Sequence, residues 1–217
     1  MKIMKGEKIA FFSHFIGALA ALAGTIWLVI FSRTDAKMMT AALIYGLSII
    51  FLFTASSLYH ANKKNENEKT FWRKLDHLAI FFMIAGSYTP VCFLYLEGTM
   101  LKAILIAQWA LVLFGFIFKF WFINAPRFLN IAIYLAMGWM AVIPMGRISE
   151  VMPSIVLFYL FAGAFFFTIG ALVYLAKKPN LFKGAFGFHE IFHIFILLGG
   201  IMHYMMIFKG MAGSLAM

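Results

Sequence analysis

Three histidines, one aspartate and one serine interrupt stretches of this chain that are otherwise strongly apolar: His60, His189, His193, Asp76 and Ser56. Ionisable side chains are costly in hydrocarbon, so residues of this kind point to chemistry. His189 and His193 are spaced i, i+4, which puts both rings on one helix face, within reach of a single ion. Ser56 and His60 share that spacing, so the hydroxyl can reach the same place as the imidazole. Three imidazole nitrogens leave one position of a tetrahedral site open for water, the pattern of catalytic rather than structural zinc. Asp76 would be either a fourth ligand or the group that holds this water and accepts its proton. Bound Zn2+ would polarise a carbonyl and bring the pKa of the water towards about 7.

The elements that position these residues are membrane spans. Of the 217 residues, 64% are hydrophobic and 12% charged, with a mean hydropathy of +0.94. Soluble domains carry about 25% charged residues, so an ordinary soluble domain is excluded. The one cysteine, Cys92, allows no internal disulfide. The first apolar run is too long for the h-region of a signal peptide and reads as a span. Runs of about 20 apolar residues cross a bilayer as helices. Seven are expected, at 9–31, 38–60, 75–96, 101–122, 128–146, 152–176 and 187–208, in one domain covering 1–217. Pro144 should kink or stop the fifth. The expected fold is thus an all-α bundle of seven transmembrane helices in the cell membrane.

A net charge of +10 does not indicate nucleic acid, because the basic residues form short clusters between apolar runs. Thirteen of them, Lys2, Lys5, Lys8, Lys63, Lys64, Lys69, Arg73, Lys74, Lys119, Arg127, Lys177, Lys178 and Lys183, fall on the side of the N-terminus. Five, Arg33, Lys37, Lys102, Arg147 and Lys209, fall on the other. The positive-inside rule then predicts a cytoplasmic N-terminus and an outer C-terminus. Trp72 and Trp121 fall at the inner boundary and Trp27 towards the outer one, as interfacial tryptophans do.

This orientation draws the polar residues together. His60 ends the second span, Asp76 begins the third, and His189 and His193 begin the seventh, all in the inner leaflet. Taken singly, each has an ordinary explanation: a histidine bonding between helices, an aspartate in water beside Arg73 and Lys74, a serine packing helices. Jointly, at one depth, they favour a metal. Ligand type leaves iron, manganese and nickel open, but a histidine-rich site suits zinc. His14, His77 and His203 are expected to form hydrogen bonds or to support the site from behind. His189-Glu190-Ile191-Phe192-His193 also matches the H-E-x-x-H of zinc proteases. No Asp or Glu follows it to complete an intramembrane protease site.

The motifs have a joint likeness. Ser56-Ser57-Leu58-Tyr59-His60, the Leu75-Asp76-His77 to Gly86-Ser87-Tyr88-Thr89-Pro90 block, the His189-to-Tyr204 pattern and the Ser13-to-Gly17 segment resemble the hemolysin III family. That family is the bacterial branch of the progestin and adipoQ receptors, which include the adiponectin receptors. The resemblance spans essentially the whole chain. It implies zinc on His60, His189 and His193, with Asp76 and Ser56 at the zinc-bound water. It also implies, through a likeness to alkaline ceramidases, hydrolysis of a lipid amide. The family does not hold glutamate at the position of Glu190.

Four functions compete. A zinc-dependent hydrolase would act on a membrane lipid in lipid homeostasis, with a lipid substrate or free fatty acid as ligand. A non-catalytic sensor of membrane state would use the metal as a staple. A pore-forming cytolysin, the meaning of the hemolysin name, is at odds with a chain too apolar to leave its membrane and without a secretion signal or amphipathic pore-lining strand. A transporter or proton channel would spread ionisable residues through the full membrane depth. The substrate and the oligomeric state stay open; Gly17, Ala20, Ala21 and Gly24 could pack the first span within or between chains.

Overall fold

A computed structural model describes residues 3–65, 68–182 and 186–215. Lys2 and Lys183, two of the basic residues that set the expected orientation, lie outside them. The described residues form a helical bundle: α1 (Lys8–Phe31), α2 (Ala36–Asn62), α3 (Phe71–Tyr95), α4 (Gly98–Trp121), α5 (Arg127–Gly138), α6 (Met145–Val151), α7 (Ser154–Ala176) and α8 (Phe188–Leu215). A short 3-10 turn, Lys5–Glu7, leads into α1. Six helices, α1 to α4, α7 and α8, are long and apolar enough to cross a membrane.

The starts of α2 and α3 are written locally. The Asp35 carboxylate accepts hydrogen bonds from the backbone N–H groups of Lys37 and Met38 at 2.8 and 3.0 Å. Thr70 Oγ1 accepts from the Arg73 N–H. Each satisfies donors that a helix start leaves orphaned.

The fifth expected span is not one helix. It is Arg127–Val142, ending in a 3-10 turn, followed by Met145–Val151 at an angle of 53°. Pro144 stands at the break, as expected, because its ring cannot continue the ladder. A break inside an apolar bundle leaves backbone groups that lipid cannot satisfy. Side chains of α3 and α4 satisfy them here. Tyr88 donates its hydroxyl to the Gly138 carbonyl at 2.6 Å and accepts the Ala141 N–H at 2.6 Å. Gln108, fully buried on α4, donates to the Met137 carbonyl at 3.0 Å. The Gly-Ser-Tyr-Thr-Pro block thus has a structural use at its tyrosine.

Helices α2 and α3 are the most enclosed, with 56% and 61% of their apolar windows buried, against 22–28% for the other four long helices. Phe12, Ile16 and Trp27 on α1, Leu113 and Phe116 on α4, and Phe158 and Phe165 on α7 point outward, as lipid-facing residues must. Glycine permits the closest contact of α1 and α2: a Cβ on Gly46 would lie 2.1 Å from Thr25 Cγ2. Gly17 and Gly24 are used within the chain, against Leu197 and Phe53 and against Tyr204. The same small residues therefore bind α1 to α2 and α8.

Candidate metal centre

The last turns of α2, the first turns of α3 and α8 and the start of α1 meet at the end of the bundle that carries the N-terminus. His60 and His193 are buried and His189 half-buried. One ring nitrogen from each of these three lies within 4.8 Å of the others. His189 and His193 present their Nε2 atoms to each other at 3.1 Å, the consequence of i, i+4 spacing. His60 enters from α2, its ring centroid 4.8 Å from that of His193 and 5.1 Å from that of His189. In a tetrahedron with zinc–nitrogen bonds of 2.0–2.1 Å, ligand nitrogens stand about 3.3 Å apart. The donor set is therefore of the right type and nearly the right spread for one small divalent cation.

The other nitrogens are also accounted for. His60 Nδ1 lies 2.6 Å from Glu7 Oε2. A carboxylate only accepts, so Nδ1 carries the proton and the Nε2 lone pair is left for a metal. His193 Nδ1 lies 2.8 Å from His14 Nε2, which leaves the His193 Nε2 beside His189. Glu7 is in turn bonded by Lys63 Nζ at 2.6 Å. Burial alone would push the Glu7 carboxyl up, but the hydrogen bonds from His60 and Lys63 outweigh this and hold it down at about 2. It is therefore a carboxylate at neutral pH.

Sequence reasoning missed Glu7. It lies just before the first apolar run and 53 residues from His60, so no spacing connects the two. His14 does form the hydrogen bond expected of it. His77 lines the adjoining cavity with its Nδ1 unpaired, and its carbonyl accepts from the Tyr134 hydroxyl at 3.2 Å. His203 stands far along α8. Asp76 and Ser56 line the same cavity as the three histidines. Asp76 is not in the group whose donor atoms fall within 4.8 Å.

Glu190, the acid of the H-E-x-x-H pattern, has a local task. Its Oε2 accepts the Gly187 N–H at 2.7 Å, closing the first turn of α8.

A cavity of about 850 Å3 opens from the histidines into the bundle. It passes Ile80, Met83 and Ile84 of α3, Leu135 of α5, Ala164 and Phe167 of α7 and Ile196 of α8, and reaches His203 and Met206. From His193 to Met206 the helical rise gives roughly 20 Å. One end is polar and the length behind it is mostly apolar.

Residues 3–204 match the family described as Haemolysin-III related. The chain belongs to that family. This haemolysin-III related protein is 30% identical over 201 residues to the Hemolysin-3 homolog of Bacillus subtilis (strain 168), covering 92% of this chain and 91% of the relative. It is 30% identical over 203 residues to Hemolysin-3 of Bacillus cereus, covering 93% and 90%. A more distant relative is the human Monocyte to macrophage differentiation factor, 25% identical over 172 residues, covering 77% and 69%. Family and apolar helices together make this a multi-pass membrane protein, in bacteria one of the cell membrane.

Proposed function

We propose that this haemolysin-III related protein is a zinc-dependent hydrolase of membrane lipids, cleaving an acyl amide of the ceramide type. The observation that carries this is the meeting of three histidine nitrogens at the polar mouth of a long apolar cavity. Ligand pockets are about 300–1,000 Å3 and mostly apolar with a few placed polar groups; here those groups gather at the mouth, which suits an amphiphile. An acyl chain would lie along α3, α7 and α8, which puts its carbonyl near the histidines. With the broken helix pair counted as one crossing, the chain has seven spans. The surplus of Lys and Arg at the histidine end makes that face the cytoplasmic one.

His60, His189 and His193 would hold the ion, and zinc would supply Lewis acidity towards the carbonyl and the water. Glu7 keeps the His60 proton on Nδ1, and His14 accepts the proton of His193 Nδ1, so both rings face inward. Asp76 takes one proton from the attacking water as its oxygen bonds to the acyl carbon. The same carboxyl then returns that proton to the amine as the C–N bond breaks, leaving a fatty acid and a free amine. Ser56, which lines the same cavity, would help to hold the attacking water.

Purified protein should contain about one zinc per chain, lost in His60→Ala and His193→Ala. Asp76→Asn should keep the metal and lose hydrolysis of a ceramide in vesicles. Absence of stoichiometric metal from the wild-type protein would end the proposal. The cluster also links α1, α2 and α8 through His14, His60 and His193, which favours a second reading, a metal-stapled sensor of membrane state. Full rescue of a deletion strain's lipid phenotype by Asp76→Asn would select that one.

A further inference from the structure

The basic residues at the histidine end fall into two groups. Lys8, Lys64, Lys69, Lys74, Lys119, Lys177 and Lys178 line none of the cavity. Arg73, Arg127 and Lys63 line it. Lys63 is engaged by Glu7. Charge asymmetry across a membrane is served equally by lysine or arginine in any loop, so it does not account for two arginines at the cavity wall.

Both arginines are half-buried and held by neutral acceptors. Arg73 donates from Nη1 to Asn124 Oδ1 at 2.6 Å and to the Glu68 carbonyl at 3.0 Å. Arg127 donates from Nη1 to the Tyr174 carbonyl at 2.8 Å, and its guanidinium lies over the Tyr174 ring at 4.3 Å and the Phe188 ring at 5.4 Å. Neither has a carboxylate within 4 Å among the described residues. Of the acidic groups lining this end, Glu7 is engaged by His60 and Lys63 and Glu190 by the Gly187 N–H, and Asp76 forms no salt bridge with either arginine among the described residues. Each fork is thus fixed through one nitrogen, with further N–H groups left to donate. That is how a planar guanidinium is prepared for an oxyanion, and arginine is the usual choice for phosphate.

We propose that Arg73 and Arg127 form a headgroup site for a phosphate-bearing amphiphile, whose acyl chain occupies the cavity beyond the histidines. The proposal rests on the hydrolase reading for the placement of the chain, and among the ceramide-type amides of that reading it makes those with a phosphorylated headgroup the preferred substrates and neutral ceramide a weaker one. A lipid phosphate and free inorganic phosphate share the recognition chemistry, but only the lipid also uses the apolar cavity.

The test compares dodecyl phosphate, dodecanol and inorganic phosphate as ligands of the full chain in neutral-lipid nanodiscs. Each is titrated by thermal shift to an apparent Kd, in zinc-loaded and in chelator-stripped protein. Dodecyl phosphate should bind roughly tenfold more tightly than dodecanol, with or without metal. Arg73→Gln and Arg127→Gln should abolish that margin and leave dodecanol affinity unchanged, which also reports an intact cavity. Arg127→Lys, the milder variant, should keep part of the margin. Equal affinity for dodecyl phosphate and dodecanol overturns the proposal, as does inorganic phosphate binding as well as dodecyl phosphate. Headgroup selectivity in a wild-type protein that holds no stoichiometric zinc as purified would sink the hydrolase alone. Metal without selectivity would sink the headgroup site alone.

Discussion

Glu7→Gln is the sharpest perturbation of the metal centre that leaves all three imidazoles in place. The wild-type carboxylate accepts the Nδ1 proton of His60 at 2.6 Å and neutralises Lys63 at 2.6 Å. Glutamine keeps the volume and one acceptor oxygen, but it removes the charge, and its amide can flip to oppose the His60 proton. Loss of a group that orients a metal-binding histidine costs about 10–100-fold in metal affinity. That range corresponds to roughly 1.4–2.8 kcal/mol. The lower end is expected if the glutamine oxygen stays on His60. Zinc affinity would be read by competition with a chromophoric chelator in purified, stripped protein. The visible bands of the cobalt-substituted protein would show whether the ligand geometry has changed. Glu97→Gln, at an exposed position outside the cluster, controls for the loss of one negative charge. Zinc affinity equal to wild type in a folded Glu7→Gln protein would refute the orienting role and the tautomer assigned to His60.

Three further outcomes follow from the same geometry. His14→Phe should lower zinc affinity about tenfold by freeing His193 Nδ1, well short of the full loss in His193→Ala, as metal analysis would show. Tyr88→Phe should lower stability by about 1–3 kcal/mol, since it strips partners from Gly138 and Ala141 at the helix break; thermal unfolding should shift while zinc content stays the same. The pH dependence has a definite sign. The Glu7 carboxyl is held at about 2 against an ordinary 4.5, so its contribution is complete above pH 4.5 and vanishes as pH falls through 2. In metal-free protein the melting-temperature gap between wild type and Glu7→Gln should narrow from pH 4.5 downward; a gap that widens there would contradict the pairing.

What the amino-acid sequence determined unaided is whatever depends on neighbours in the chain or on transfer into lipid. Uninterrupted apolar runs have one stable form in a bilayer, a helix, so the six long helices were legible, and Pro144 marked where a further one breaks. The i, i+4 spacing made His189 and His193 a pair before any fold was known. His60 joined them because short connections and alternating spans bring the end of α2 and the start of α8 to one face. The tertiary structure alone decided the partners lying across the bundle. Glu7 on His60, His14 on His193 and Tyr88 at the broken helix span 53, 179 and 50 or more positions. No periodicity links residues so far apart; their contact depends on which helix faces turn towards each other, set by close approaches such as Gly46 on Thr25. The same packing left Glu190 to its own helix turn and gathered two arginines, unremarkable as loop charges in the sequence, onto the wall of one cavity.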